Sequence, residues 1–138
     1  MPLTISRTVY DAMLRAAQQA APLEACGLLG GSNGHTTAFY ELANADASAD
    51  HYRMLPEQQF SAIRDMRTKG LRMLAIWHSH PATPARMSDE DLRLAFTPDT
   101  VYLILSLASP GAPDLSGFIL QDGRVQPVEL TITNKEPT

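Results

Sequence analysis

An α/β domain built around one mixed sheet is predicted by three observations. Apolar runs of strand length alternate along the chain with segments of helical period. Two turns of hairpin type, at Asn33-Gly34 and Asp122-Gly123, demand antiparallel pairing between their flanking strands. A length of 138 residues, 44% hydrophobic and 19% charged, is enough for one core without covalent staples.

The elements follow in order. Leu3–Ser6 has the length of a short edge strand. From Arg7 to about Ala20 the apolar residues Val9, Met13, Leu14 and Ala17 recur at helical steps, with Ser6 as N-cap and Pro22 just past the end. Residues 26–31 read as a buried strand and residues 36–42 as its hairpin partner, joined by Ser32-Asn33-Gly34. The polar, alanine-rich stretch 44–53 is a loop. Pro56 suits a first helical position, and Phe60, Ile63 and Met66 carry a stripe towards Gly70. Residues 71–77 form a strand running straight into His78. A loop at 81–87 leads to a short acidic helix, 88–96, capped by Ser88. Residues 101–107, 115–120 and 124–131 complete a set of five or six strands with about three helices. Residues 1–133 are read as one domain and 134–138 as a frayed tail.

Composition narrows the function. The net charge is −4 and the pI about 5.4, so no basic face is expected for nucleic acid. No apolar run approaches the roughly 18 residues of a membrane helix. The first residues lack the charged head and apolar stretch of a secretory signal, and one cysteine, Cys26, excludes an intrachain disulfide; both fit a cytoplasmic protein.

One stretch carries chemistry: His78-Ser79-His80-Pro81, then Ser88-Asp89-Glu90-Asp91. Side chains two apart on a strand share a face, so His78 and His80 can present two imidazoles to one ion. Asp91 lies three residues beyond Ser88 on the same helix face, and the seven-residue loop between is long enough to fold that helix back over the strand end. Two imidazoles and a carboxylate are a zinc donor set that leaves a fourth position for water. Trp77 is expected to face the core, Cys26 to be a small buried residue, and His35 and His51 to be solvated in loops.

The spacing His-x-His, seven residues, Ser-x-x-Asp resembles the motif of the JAMM (MPN+) zinc metalloproteases, in their stand-alone prokaryotic form, residue for residue. Glu24, in Pro22-Leu23-Glu24-Ala25-Cys26-Gly27, resembles the family's upstream glutamate. The resemblance implies the MPN fold, with the layering of cytidine deaminases. It implies that His78, His80 and Asp91 bind Zn²⁺, that Glu24 acts as proton shuttle, and that Ser88 stabilises the oxyanion. It further implies an (iso)peptidase cutting after the C-terminal Gly-Gly of a ubiquitin-like or sulfur-carrier protein, with loops 44–54 and 96–100 as small counterparts of the family's substrate-gripping insertions. The extended tail is expected along a sheet edge. A non-catalytic MPN-type binding module and a zinc peptidase of other specificity are the alternatives. Zinc deaminases fit less well, because their Pro-Cys-x-x-Cys half is missing.

Overall fold

The computed structural model describes residues 2–95 and 97–134. Along them run β1 (Leu3–Ser6), α1 (Arg7–Ala20), β2 (Cys26–Ser32), β3 (His35–Leu42), α2 (Pro56–Thr68), β4 (Arg72–His80), α3 (Asp89–Leu94), β5 (Val101–Ser106), β6 (Asp114–Gln121), β7 (Arg124–Val128) and β8 (Leu130–Thr133). The strands form a single mixed sheet in the order β7-β6-β5-β4-β2-β3-β1-β8. A mixed α/β fold is thus what the sequence predicts, and no helix among the described residues is long and apolar enough to cross a membrane.

Helices α1 and α2 cover opposite faces of the sheet, because successive strand side chains point in opposite directions. The Ser6 hydroxyl accepts the Val9 N–H and starts α1, whose buried stripe is Val9, Met13, Ala16 and Ala17. That stripe packs on Leu29, Ala75, Trp77, Leu103 and Leu105. On the other face Ala62 and Met66 of α2 meet Leu28, Met73 and Ile76. A register shift between β2 and β4 at Leu29/Gly30 lets both Met73 and Ile76 reach the α2 face.

The two outermost strands differ from expectation. The segment read as one return strand, 124–131, breaks at Glu129. Its first part pairs with β6 and its second crosses to β1. There are therefore eight strands, and β1 is no edge: β3 flanks it on one side and β8 on the other, both parallel. Only Glu129 separates the two ends of the strand order, so the sheet must curl until they meet. A Cβ on Gly117 of β6 would come within 2.9 Å of the Leu130 side chain, so the glycine makes room for the seam. Alternation cannot reveal this, since its period of two runs unbroken through Glu129. Two smaller differences concern ends. His35 opens β3 opposite Ser32 and is not in a loop. Helix α3 stops at Leu94, while Phe96 lies outside the described residues. Of the expected tail, Asn134 is held by Arg7, whose Nε donates to its side-chain oxygen at 3.2 Å; residues 135–138 lie outside the described residues.

Candidate metal centre

Strand β4 lies inside the sheet, hydrogen-bonded to β2 on one side and β5 on the other. Its last residues alternate in role. Trp77 is completely buried in the α1-side core, as its position predicts, and its indole N–H donates to the Tyr40 carbonyl at 3.3 Å. A Cβ on Gly27, the β2 residue opposite Trp77, would collide with that carbonyl and the indole; glycine is required there. Ser79 faces the same way as Trp77 and fastens the start of β2: its N–H donates to the Ala25 carbonyl at 3.0 Å, and its hydroxyl accepts the Ala25 N–H at 2.8 Å. His78 and His80 occupy the other face.

There the two histidines meet Asp91. His78 Nε2 is 3.2 Å from His80 Nε2 and 3.1 Å from Asp91 Oδ1, and His80 Nε2 is 3.0 Å from Asp91 Oδ2. All three residues are buried. Ligand atoms about 2.0–2.1 Å from a tetrahedral zinc stand about 3.3 Å apart, so this triangle matches one face of such a site to within a few tenths of an ångström. The donor chemistry also fits. His80 Nδ1 donates to the Pro84 carbonyl at 2.8 Å, which leaves the Nε2 lone pair of the neutral ring directed at the centre. Burial would raise the Asp91 carboxyl, but hydrogen bonds from His78 and His80, with the Ser88 N–H, hold it far below the usual range. Burial keeps His78 low and therefore neutral. Burial also opposes a charge on His80, yet the hydrogen bonds to Asp91 and Pro84 raise it.

The remaining two expected residues border this triangle. Ser88 caps α3 in a reciprocal box: its hydroxyl accepts the Asp91 N–H, and its own N–H donates to Asp91 Oδ2, each at 3.0 Å. The cap thus fixes the rotamer of a triangle residue. Accepting that bond leaves the hydroxyl proton of Ser88 free to donate. Glu24 is 3% exposed, and its Oε1 has no hydrogen-bond partner. Desolvation pushes its carboxyl up to about 8; His80 opposes the shift and Asp91 adds to it. Its backbone is clamped from the opposite side, with its N–H on the Ser48 carbonyl and its carbonyl on the Asn44 amide.

That clamp belongs to the 43–55 loop, which is not the loose segment its composition suggests. Asn44 also donates to the His51 carbonyl and accepts the N–H groups of Asp46 and Arg53. His51 bridges Asp46 and Asp50 rather than standing free in solvent. The loop delivers Tyr52, whose ring stacks on His78 with centroids 4.6 Å apart. Tyr52 has no periodic or motif signal in the sequence, and nothing short of the folded loop would single it out. Cys26 sits opposite His78 in the register and is fully buried, as expected; burial, then Glu24 and Glu41, push its thiol up to about 12.

Two grooves flank the triangle. One, about 370 Å³, opens beyond Tyr52 and is lined with Met54, Ile76, Leu94 and Tyr102. The other, about 350 Å³, lies on the His80 side beneath the 81–87 loop. With both neighbours of β4 in place, no free sheet edge adjoins the triangle among the described residues. The strand-edge seat expected for a substrate tail is therefore absent there, and these grooves are the openings available.

A family model of prokaryotic homologs of the JAB domain matches residues 6–116. The chain belongs to that family. Among relatives of this JAB-domain protein, the CysO-cysteine peptidase of Mycobacterium tuberculosis is 33% identical over 132 residues, 93% of this chain and 90% of the relative. A protein from Desulfitobacterium hafniense, solved in solution, is 43% identical with a TM-score of 0.88, covering 96% of this chain and 94% of that one. A structure described as a metalloprotease-like zinc site in the proteasome and signalosome, JAMM, shares the fold at 22% identity and a TM-score of 0.60, with 96% and 99% covered. Family and relative together make this chain a stand-alone prokaryotic peptidase of the JAMM type.

Proposed function

We propose that residues 1–133 form one zinc-dependent peptidase domain. In this reading His78, His80 and Asp91 hold Zn²⁺, Glu24 moves the proton, and Ser88 stabilises the oxyanion. The observation that carries the reading is the closed triangle of donor atoms beside a buried carboxylate oxygen that has no partner. A cluster of buried polar groups of this kind is expensive to maintain unless it serves a ligand.

Zinc, when bound, supplies Lewis acidity and lowers the pKa of water to about 7. The chain supplies the rest. Glu24 takes the proton of the attacking water and hands it to the leaving amine, so that one amide and one water become a carboxylic acid and an amine. The divalent charge would draw the raised Glu24 carboxyl back down towards ionisation, as a base requires. The Ser88 O–H donates to the oxygen that gains charge when the carbonyl is attacked.

The substrate we infer is an amide bond after the C-terminal Gly-Gly of a ubiquitin-like or sulfur-carrier protein. The name of the mycobacterial relative supports this choice. Glycines also suit a tail that must reach a buried centre, because they carry no side chain and tolerate unusual backbone angles. A net charge of −4 suits a carrier protein as partner better than nucleic acid, and the setting we infer is cytoplasmic. The test combines metal analysis with turnover. The purified protein should hold one zinc per chain; His78→Ala and His80→Ala should lose it, and Glu24→Gln should keep it but lose activity. A carrier extended beyond Gly-Gly should be cut, and its Val-Val counterpart should not. A zinc-free or fully active Glu24→Gln would remove the assignment of Glu24, and equal cutting of both carriers would remove the Gly-Gly specificity.

A further inference from the structure

We propose that Arg86 is a specificity-determining residue that binds a free carboxylate on the leaving group, in the groove on the His80 side. The proposal rests on the peptidase reading above and extends it to the side of the scissile bond that departs.

That groove is lined by His80, Thr83, Pro84, Arg86, Met87 and Ser88, so a metal-centre histidine and the oxyanion donor open onto the same space as a guanidinium. Arg86 is the only charged side chain among these linings other than the histidine itself. Arg86 is exposed, and no ion pair or side-chain hydrogen bond occupies it among the described residues. The groove beyond Tyr52 also contains an arginine, Arg53, but its Nε is engaged by Asp46 at 2.8 Å. Of the two arginines that line the grooves, Arg86 is the one without an ion-pair partner among the described residues.

The loop that carries it is built rather than loose. Pro84 offers its carbonyl to His80 Nδ1 and to the Arg86 N–H, both at 2.8 Å. The Ser106 hydroxyl donates to the Thr83 carbonyl at 2.6 Å, and Ala85 is buried. The Arg86 backbone is therefore positioned relative to the histidine, and its guanidinium needs to order only its own side chain.

Chemistry then selects the ligand. A guanidinium fork matches a carboxylate with two parallel hydrogen bonds. In a single amino acid the carboxylate carbon is two bonds from the nitrogen that leaves, so its anchor must stand next to the reacting groups. Arg86 does so, two residues before Ser88 on a pinned segment. Each further residue would carry the carboxylate about 3.5 Å away from that anchor. At about 350 Å³ the groove is near the lower end of small-molecule sites, which suits one residue and not a folded partner. An anionic leaving group approaching a chain of net charge −4, next to Asp89 and Glu90, also requires a cation to receive it.

The test uses the zinc-loaded protein and two probes, Gly-Gly-Ala and Gly-Gly-Ala-amide, with binding measured calorimetrically on Glu24→Gln to prevent turnover. The acid should bind roughly 10–100-fold more tightly than the amide. Adding Arg86→Gln should abolish that preference, and Arg86→Lys should restore part of it. Equal affinity for the two probes, no affinity for either, or an undiminished preference in Arg86→Gln would overturn the proposal. Turnover is scored separately with the carrier extended by one alanine, as acid and as amide. Failure to cut either refutes the Gly-Gly reading, while the binding measurement still decides Arg86.

Discussion

A buried carboxyl with no partner is costly to ionise, and Glu24 is one. In the metal-stripped protein burial lifts it from an ordinary 4.5 to about 8. The folded chain then keeps a proton that the unfolded chain has released. The associated stability is complete below about pH 4.5 and is lost as the pH rises through 8. Glu24→Gln cannot ionise, so between pH 5 and 8.5 the metal-free variant should gain stability relative to wild type, by up to a few kcal/mol. Urea denaturation of both proteins across that range measures it, and parallel profiles would contradict the burial argument. The same scale shows what the sequence could tell. The two histidines were legible because a strand places side chains two apart on one face, and Asp91 because a cap places it over Ser88. Tyr52 was not, since its contact with His78 depends on a loop folded around the Asn44 amide. That dependence is testable: Tyr52→Ala should leave the fold intact and weaken zinc binding roughly 10–100-fold, in the range for groups that orient metal ligands. Competition with a chromogenic chelator reads it, and unchanged affinity would reduce the stacking to packing alone.

Among the elements, α3 ties local stability to chemistry. It is only six residues long, too short to persist by itself, and its cap is also its link to the centre. Ser88→Ala should cost about 1 kcal/mol of stability through the lost cap and lower kcat roughly 10–1000-fold through the lost donor. Ser88→Gly separates the two effects, because glycine caps almost as well yet has no hydroxyl. It should lose kcat as severely while costing only a few tenths of a kcal/mol. Normal kcat in Ser88→Gly would confine Ser88 to capping. Most element types were readable in advance, because periodicity and turn residues act locally. The partition of β7 from β8 was not: Val128, Leu130 and Ile132 alternate straight through Glu129, and the break there is imposed by β1, more than a hundred residues away.

For the whole molecule, zinc at the centre would fasten separate parts of the chain together: the histidines of β4 and Asp91 of α3. A ligand that binds only the folded arrangement adds stability as RT ln(1 + [L]/Kd), about 4 kcal/mol when zinc is a thousandfold above Kd. Chelation should therefore lower Tm by roughly 10 °C or more in calorimetry, and zinc should restore it. His80→Ala should start low and respond little to either treatment. The joining of the first and last strands has a different consequence. Because β1 and β8 run parallel and side by side, with Leu3 beside Leu130 and Ser6 beside Thr133, a chain drawn apart from Leu3 and Thr133 is loaded along the strands. Their hydrogen bonds then share the force and must fail together, instead of opening one at a time as in a hairpin pulled from its ends. This small enzyme should be mechanically stubborn when gripped by its ends and yield far more easily when pulled across β6 and β7, where an antiparallel pair can unzip.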